Sequence, residues 1–530
     1  MKEIIDRIHK RTTEYSHPSQ ATTTANALEL LSSGIYTEEE RFVFELLQNA
    51  VDSFDPNISE GLDVKIIVNE NQLLFLHNGT PFSERDLEGL CDIGNGNKMS
   101  DSKKIGYKGI GFKSVFMHSK KVTVITSDTC FKFDREECKE IAKSKGPAFQ
   151  DVKMPWQIIP IATELPSEIS TDGYNVVTIL EIPNGKKLLE KINRLLSDAR
   201  FILFLNVKNL LIRLFENDRE ILSLSKSLEG DLLTISKNNI PLNKWLMHSA
   251  EIKLSEYPDV KLELQHDAKT PDKLKNSETV DISFAIALDE ENNIIPLKNA
   301  LIYTYLPTSF SFGFPFIVNA NFITDAGRQQ LIKDSEWNKF LFAQIPSLYL
   351  SWIKDDVAPK YEEWYKVLLP IKKENDEISV AYSSALTKSI ETIPFVRTLK
   401  GEQKLVSKVF YDKYNLYKGL PTRTFNSFIQ DCLFLEEGNE SIVSYEVGQS
   451  LIFYDIKCLN EINIQGLFEN SLKYLVNWTK VDYVKFISWI IESEKIQNSN
   501  YLDIISYSKI LPDEEWTLHM PNEMFFSFGI

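Results

Sequence analysis

Residues 37 to 54 read TEEERFVFELLQNAVDSF and predict a buried helix with a polar stripe. The opening T-x-x-E is a capping-box pattern, which typically begins a helix. Within the helix Glu45, Asn49 and Asp52 are spaced i, i+4 and i+7, so they share one face, and most other positions are apolar. Burying carboxylate and amide groups costs free energy unless they meet a ligand, a metal or a polar partner. Two interpretations therefore follow: a polar network between core helices, or a binding site.

A predicted hairpin and a glycine-rich segment follow this helix. Two strand-like runs, 64–68 and 73–76, flank a short turn, and the second leads into HNGTPF before a helix capped by Ser83. Residues 92–116 then read DIGNGNKMSDSKKIGYKGIGFKSVF. Glycines let backbone N–H groups approach an anion, and a helix N-terminus favours negative charge. The segment is thus typical of a phosphate-binding loop, the alternative being a solvent-exposed loop with ordinary lysines.

Composition indicates a globular protein of several domains. The chain has 530 residues, of which 43% are hydrophobic and 25% charged. Its net charge of −16 argues against broad affinity for nucleic acid or anionic membranes. The five cysteines have no C-x-x-C spacing, which favours reduced thiols in the cytoplasm and no zinc site. The N-terminus is not a signal peptide, and no run approaches the ~18 apolar residues of a membrane span.

The pattern of predicted elements divides the chain into three domains, residues 1–188, 189–355 and 356–530. In the first, segment 135–172 is polar and rich in prolines, which predicts an insertion or a flexible connection. The second combines strands with a helix at 337–353, so it is predicted to be α+β. Its predicted strands are 207–215, 221–224, 259–265, 281–287 and 300–306.

The third domain is predicted to be mixed and mostly helical. A strand-turn-strand pattern at 393–410 resembles a second at 510–526, which suggests a loose repeat. The second copy reaches the C-terminus without a closing element. We therefore expect the natural protein to extend beyond residue 530, or a partner to complete this region.

Taken together, the polar helix, the strand ending in HNGTPF and the motif IGYKGIGF resemble the ordered motifs of the GHKL ATPases. That superfamily includes gyrase B, MutL, MORC proteins and heat-shock chaperones. The resemblance implies an α+β chain that opens with a Bergerat-type α/β sandwich, holds ATP under a mobile lid, and continues into a middle, transducer-like domain. It also implies that Glu45 is the general base that activates water, that Asn49 ligates Mg²⁺, and that Asp52 lies near the nucleotide. No P-loop motif occurs, so a P-loop enzyme is not expected.

The same resemblance assigns the glycine-rich segment to the phosphates. Gly106, Gly109, Gly111 and Phe112 match the lid-side motif whose backbone wraps the phosphates. Lys98 is a candidate phosphate contact, and its alternative is a solvated lysine of the lid.

One motif departs from the superfamily pattern. The usual D-x-G-x-G, whose aspartate reads the adenine amine, is replaced by His77-Asn78-Gly79 at the end of a strand. Either the side-chain carbonyl of Asn78 or a neutral His77 could accept a hydrogen bond from that amine. A literal D-x-G-x-G at 92–96 comes only after the next helix, so the His77 site is preferred. The departure leaves the choice between ATP and another nucleotide open.

A narrower likeness is to the sacsin and NO VEIN type of GHKL module. It rests on residues 20–130, which include ALELLSSGIYTEEERFVFELLQNAVDS and LCDIGNGNK, and on residues 300–410. In related chaperone ATPases an arginine of a middle-domain loop reaches the γ-phosphate, and Arg328 is the matching position. The alternative is a surface arginine paired with Asp325 or Asp334.

The resemblance implies a slow, Mg²⁺-dependent ATPase that acts as a chaperone-like conformational switch. It implies a homodimer formed through the N-terminal domain, and a place in a larger quality-control or defence protein whose clients the sequence does not name. The alternative is a nucleotide-binding scaffold with negligible hydrolysis. A histidine kinase is disfavoured, because the segment that carries His9 and His17 is too short for a dimerisation helix.

Overall fold

A computed structural model divides the chain into two units, Met1–Leu341 and Phe342–Ile530. The residues described are 1–33, 42–92, 111–166, 169–171, 173–325, 327–433, 442–452, 460–493, 496 and 501–524. The first unit contains a large mixed sheet and the second is mostly helical, so the predicted α+β class is confirmed at this level. The division into three domains stays a prediction.

Within the described residues of the first unit, fifteen strands form one sheet. They are β1 (Leu62–Val68), β2 (Gln72–His77), β3 (Lys121–Thr126), β4 (Thr129–Asp134), β5 (Ile161–Ala162), β6 (Val176–Glu181), β7 (Leu210–Glu216), β8 (Arg219–Glu229), β9 (Leu232–Lys237), β10 (Ile240–Lys253), β11 (Thr279–Leu288), β12 (Ile294–Ile295), β13 (Leu301–Thr304), β14 (Leu306–Ser311) and β15 (Ile317–Ala320). Their spatial order is β14-β13-β15-β11-β10-β9-β8-β7-β1-β2-β6-β3-β4-β5, with β12 beside β11. The pairs β1–β7 and β13–β15 are parallel.

The parallel pair β1–β7 joins the early strands to the later ones. It runs from Leu62 opposite Leu210 to Val68 opposite Glu216. On its other edge β1 forms the predicted antiparallel hairpin with β2. Alternate residues of β1 are buried, as expected for a strand with one face on the core. Strands from both sides of the boundary predicted at residue 188 therefore belong to a single sheet.

Helices pack with one face of this sheet in a continuous apolar core. The helices of the first unit are α1 (Lys2–Thr13), α2 (Pro18–Ser33), α3 (Phe42–Asp52), α4 (Glu84–Cys91), α5 (Arg135–Ser144), α6 (Gly185–Ser197), α7 (Pro258–His266) and α8 (Asp272–Lys275), and α9 (Glu336–Trp352) begins in it. The helix predicted after Ser83 is confirmed as α4, and its capping box is complete.

Helix α3 lies in this core, as its sequence predicts. Nine of its eleven residues are buried, and Asn49 and Asp52 are the two that are partly exposed. The Phe44 ring lies 5.1 Å from the Phe201 ring, which belongs to a short turn after α6. Burying one such ring contributes roughly 1.5–3 kcal/mol. The apolar sides of α3 thus hold its polar stripe in a fixed orientation.

Two predictions about the first unit are wrong. The described part of segment 135–172 is not a flexible connection, because it contains α5, which Asp134 caps, and buries Trp156 in the core. The alternative, an insertion, stays a prediction. The polar surface of α5 hid this packing, because a few apolar residues on one side are enough to anchor a short helix. The strand predicted at 259–265 is helix α7, which begins at Pro258, and proline is favoured in the first turn of a helix.

The second unit combines short helices with two-residue strands. Its helices are α10 (Ala358–Lys360), α11 (Glu377–Thr392), α12 (Leu416–Gly419), α13 (Thr422–Leu433), α14 (Tyr445–Ile452), α15 (Gln465–Glu469), α16 (Ser471–Tyr474), α17 (Lys480–Glu492) and α18 (Tyr501–Ser506). Its strands are β16 (Val396–Arg397), β17 (Gln403–Lys404), β18 (Phe410–Tyr411), β19 (Ile442–Val443), β20 (Asn460–Glu461), β21 (Leu511–Pro512) and β22 (Leu518–His519). Both predicted strand-turn-strand elements form, as the pairs β16–β17 and β21–β22. Across the part of the chain described, no helix is long and apolar enough to cross a membrane.

The start of α6 is packed tightly against the turn of the β1–β2 hairpin. The N–H of Gly185 donates to the carbonyl of Glu70 at 2.8 Å. A Cβ on Gly185 would lie 1.8 Å from the backbone oxygen of Asn69. This contact sets the distance between α6 and the hairpin that carries the HNG motif.

Gly185→Ala is therefore expected to destabilise the protein by about 3 kcal/mol, because either the hairpin or α6 must move. The measurement is the midpoint of thermal unfolding. Lys186→Ala, at the exposed neighbouring position, is the matched control and is expected to be near neutral. Equal midpoints for the two variants would contradict the tight contact.

Candidate functional site

The polar stripe of α3 opens toward one end of the helix. Glu45 is only 5% exposed, whereas Asn49 and Asp52, one and two turns further on, are partly exposed. The predicted common face is therefore present, with a carboxylate at its buried end. A buried carboxylate requires a compensating cation or hydrogen-bond donors.

Arg328 brings a cation to this face from the loop after β15. Its Nη1 atom lies 3.5 Å from Glu45 Oε1, and it donates a hydrogen bond to Gln48 Oε1 at 3.1 Å. The arginine side chain is 17% exposed, so it is not an ordinary surface cation. Asp334, one of the two partners considered from sequence, pairs instead with Lys269. The sequence predicted Glu45 and Arg328 separately, and the structure places them together.

Gln48 was not singled out from sequence. The structure buries it beside Glu45, one turn along α3, in contact with Arg328. The sequence feature that could have identified Gln48 is a glutamine on an otherwise apolar side of a helix, because a buried amide needs a hydrogen-bond partner.

His77, the last residue of β2, is buried beneath the HNG turn. It is 4% exposed, and its Nδ1 atom has no hydrogen-bond partner among the residues described. Burial lowers the pKa of His77 to about 4. The imidazole is therefore neutral at pH 7, and the Nε2–H tautomer would present Nδ1 as an acceptor.

Asn78 and Gly79 shape the turn that follows. Asn78 Oδ1 accepts a hydrogen bond from the N–H of Asp63 at 2.8 Å, and its Nδ2 donates to the carbonyl of Gly61. Gly79 lies against the end of α3, where a Cβ would be 2.2 Å from Ser53 Oγ. In this arrangement the Asn78 side chain organises the turn, and Gly79 permits the close approach to α3.

Two threonines add further buried polar side chains to the face of the sheet that carries His77. Thr126 and Thr178 are buried on the same face of the sheet as His77, on the neighbouring strands β3 and β6. Thr126 Oγ1 accepts a hydrogen bond from the N–H of Phe82 at 2.8 Å. Both threonines were missed from sequence, because only the register of the pairs β2–β6 and β6–β3 places them near His77.

The glycine-rich segment is described only at its ends. The predicted phosphate contacts Lys98, Gly106 and Gly109 lie outside the described residues, as does the capping box before α3. Gly111 begins a short 3-10 helix, in which the ring of Phe112 packs 5.9 Å from that of Phe116. These assignments stay predictions.

Lys113, the last lysine of this segment, is buried rather than presented to solvent. Its Nζ donates to the carbonyl of Leu90 at 2.8 Å, and burial lowers its pKa to about 8. Asp92 is held at the same place by Arg11, at 2.9 Å. Leu90 and Lys113, which flank residues 93–110 in sequence, are therefore in contact.

Tyr305, in the turn between β13 and β14, lies within electrostatic reach of Asp52. Burial raises the pKa of Tyr305 to about 12, with a contribution from the negative charges of Asp281 and Asp52. The N–H of Tyr305 donates to Asn319 Oδ1 at 2.6 Å, which fixes the turn between β13 and β14. The end of α3 that carries Asp52 is therefore near the β13–β14 turn.

The donors on α3 are of the type that magnesium prefers. The oxygens of Glu45, Asn49 and Asp52 are hard ligands, and Mg²⁺ usually takes one or two protein ligands and completes its shell with water and phosphate. In the part of the chain that is described, no group of three His, Cys, Asp or Glu side chains could hold a metal alone. The donor set therefore fits a Mg²⁺ ion that arrives with phosphate, and ligation by Asn49 stays a prediction.

The cysteines Cys91, Cys130 and Cys138 of the first unit are buried and free.

Comparison with known proteins supports the family predicted from sequence. Residues 29–154 match the family model of the Sacsin domain. The chain is 25% identical over 343 residues to Protein NO VEIN of Arabidopsis thaliana, an alignment that covers 62% of this chain and 12% of that protein. It is 23% identical over 411 residues to human Sacsin, covering 64% of this chain and 9% of Sacsin.

A bacterial chaperone is similar over a shorter region. The Chaperone protein HtpG of Sulfurovum sp. (strain NBC37-1) is 30% identical over 131 residues, which are 20% of this chain and 21% of HtpG. The chain thus spans only a small part of the length of each of these relatives.

The neutral His77 predicts a pH dependence of stability. Because its pKa is about 4 in the folded protein and ~6.5 when unfolded, only the unfolded chain takes up a proton as the pH falls from 6.5 to 4. The free energy of unfolding is therefore expected to fall by roughly 2–3 kcal/mol between pH 6.5 and pH 4.5. His77→Phe is expected to remove this part of the loss.

The measurement is the urea midpoint at pH 7 and at pH 4.5 in wild type and variant. Carboxylates titrate equally in both, so the difference between them isolates His77. His17→Phe, at an exposed position, is the control. An unchanged pH dependence in His77→Phe would contradict a buried neutral imidazole.

Proposed function

We propose that this chain, whose N-terminal region is a sacsin-like module related to the heat-shock chaperone ATPases, binds ATP and hydrolyses it slowly as a conformational switch. The observation that carries the proposal is the position of Arg328, whose Nη1 lies 3.5 Å from the buried Glu45 carboxylate. A base and a cation on one buried face are what γ-phosphate hydrolysis requires of a protein.

The proposed nucleotide site lies between α3 and the HNG turn, in a Bergerat-type sandwich of helices on the sheet. His77 Nδ1 is the proposed acceptor for the adenine amine, because it is buried, neutral and without a partner among the described residues. Asn78 is proposed to act through the turn, since its carbonyl already accepts the N–H of Asp63. Gly79 lets the HNG turn approach α3 closely.

The phosphates are proposed to extend toward the glycine-rich segment. Gly106, Gly109, Gly111 and Phe112 would supply backbone N–H donors, with Lys98 as a cationic contact. Asn49 would ligate Mg²⁺, with Asp52 beside it. When bound, Mg²⁺ supplies neutralisation of the phosphate charge.

In the proposed reaction Glu45 accepts a proton from the attacking water. Its position in the buried part of α3 excludes bulk water and keeps the carboxylate in one orientation. Arg328 stabilises the charge that develops on the γ-phosphate oxygens. Because Arg328 belongs to the loop after β15, phosphate contact would couple nucleotide state to the later strands of the sheet.

The wider role is proposed by analogy with the relatives. Chaperone-like ATPases of this type switch conformation with nucleotide, often as homodimers through the N-terminal domain, and we propose the same for this chain in the cytoplasm. The alternative is a nucleotide-binding module with negligible hydrolysis. This alternative is favoured by His77, which stands where the superfamily usually has an aspartate and so changes the part of the site that would bind adenine.

Glu45→Ala separates these functions. If Glu45 is the base, phosphate release is expected to fall at least ~100-fold, while the Kd for ATP with Mg²⁺ stays within a few fold of wild type. The measurements are calorimetric titration and a phosphate-release assay. Glu60→Ala, at an exposed loop position, is the control and should behave as wild type.

Each other result has a clear meaning. Phosphate release by Glu45→Ala at the wild-type rate would exclude Glu45 as the base. Nucleotide binding by wild type without turnover would establish the scaffold alternative. No binding of ATP or ADP would overturn the proposed site.

A further inference from the structure

Gln48 contacts the Arg328 guanidinium from the buried side of α3. It lies three residues after Glu45, so the two side chains share one side of α3. Gln48 is 1% exposed, and its Oε1 accepts a hydrogen bond from Arg328 Nη1 at 3.1 Å. The amide is therefore buried at the point where the loop after β15 meets α3.

This amide brings little net stability. Its Nε2 atom is buried and has no hydrogen-bond partner within the described residues. Leucine at this position would remove the unsatisfied donor, but it would also take an acceptor from the Arg328 guanidinium, so the two effects on the free energy of unfolding oppose each other. A polar residue here is better explained by what it does to Arg328.

The distances around Arg328 indicate the effect that Gln48 has on it. Arg328 Nη1 lies 3.1 Å from the amide oxygen of Gln48 but 3.5 Å from the carboxylate oxygen of Glu45. A direct hydrogen bond between guanidinium and carboxylate is normally ~2.7–2.9 Å long. Of these two acceptors the neutral amide is the nearer to Nη1, so it directs this nitrogen.

The loop that carries Arg328 is anchored firmly at its base. Thr324 and Leu331 form a bridge across it. The buried Asn338 binds both sides, accepting from the N–H of Ile323 at 2.8 Å and donating to the carbonyls of Ile323 and Ile332 at 2.7 and 2.9 Å. Beyond this base, the N–H of Ser309 in β14 donates to the carbonyl of Gln329 at 2.9 Å. The contacts of Arg328 with α3 hold the same part of the loop from the side of the helix.

We propose that Gln48 is a positioning residue that sets the Arg328 guanidinium beside Glu45 and links α3 to the loop after β15. By fixing the direction of the guanidinium, it places the cation where it can serve the phosphate beside the carboxylate. This deepens the proposed function and rests on it for its catalytic consequence.

The test compares Gln48→Leu, Arg328→Met and the double variant. Gln157→Leu makes the same change at another buried glutamine and is the control. Gln48→Leu is expected to unfold close to the wild-type midpoint, because the two effects on stability oppose each other, and to keep the wild-type Kd for ATP with Mg²⁺. Its kcat is expected to fall about tenfold or more, in line with a lost positioning contact.

The double variant distinguishes positioning from a general structural effect. If Gln48 acts through Arg328, Gln48→Leu causes no further loss of kcat in the Arg328→Met background. The proposal would be overturned if the double variant lost kcat by the product of the two single-variant losses. It would also be overturned if Gln48→Leu and Gln157→Leu had equal kcat.

Hydrogen exchange gives a readout that does not depend on turnover. In Gln48→Leu the amides of residues 327–331 are expected to exchange faster, while those of α3 stay protected. If wild type proves not to hydrolyse ATP, the proposed function fails, and this exchange result alone decides the positioning role. Unchanged exchange at 327–331 would overturn it.

Discussion

The burial of the Glu45 carboxylate is the constraint on which the site depends. Helix α3 buries nine of its eleven residues, so the carboxylate cannot be solvated from the other sides of the helix. A cation must therefore reach it, and Arg328 does so from a loop far away in sequence. The polar stripe, the loop after β15 and the buried Gln48 therefore depend on one another, because each supplies a polar partner that another needs in the core.

The sheet is what allows the two sequence regions to meet. The parallel pair β1–β7 makes the hairpin that carries His77 continuous with strands β8 to β15. The strand β15 then delivers the Arg328 loop to the same face on which α3 packs. The site combines the β1–β2 hairpin with the loop after β15. Such a site is suited to transmit a change of nucleotide state to the later strands, since packed sheets shift as units.

The local elements could largely be predicted, and the failures have physical causes. The hairpin β1–β2, the capped helix α4 and the buried α3 follow from alternation, capping residues and apolar content. The strand predicted at 259–265 failed because Leu262 is 64% exposed, so the apparent alternation did not reflect one buried face. Helix α5 was missed because only its inner side is apolar, and strands β9 and β10 because their polar residues face outward along an open sheet.

By itself the sequence determined the residue types and spacing of the α3 stripe, the HNG turn, the glycine-rich segment and the likeness to sacsin-type modules. These features are local, and helix or strand periodicity is enough to place their side chains on one face. Tertiary structure alone decided that Arg328 meets Glu45 rather than Asp334, that Gln48 lies between them, and that Asn78 is engaged by the turn while His77 is buried and neutral. Those outcomes depend on strand register and on burial, which bring together residues that no spacing in the sequence connects.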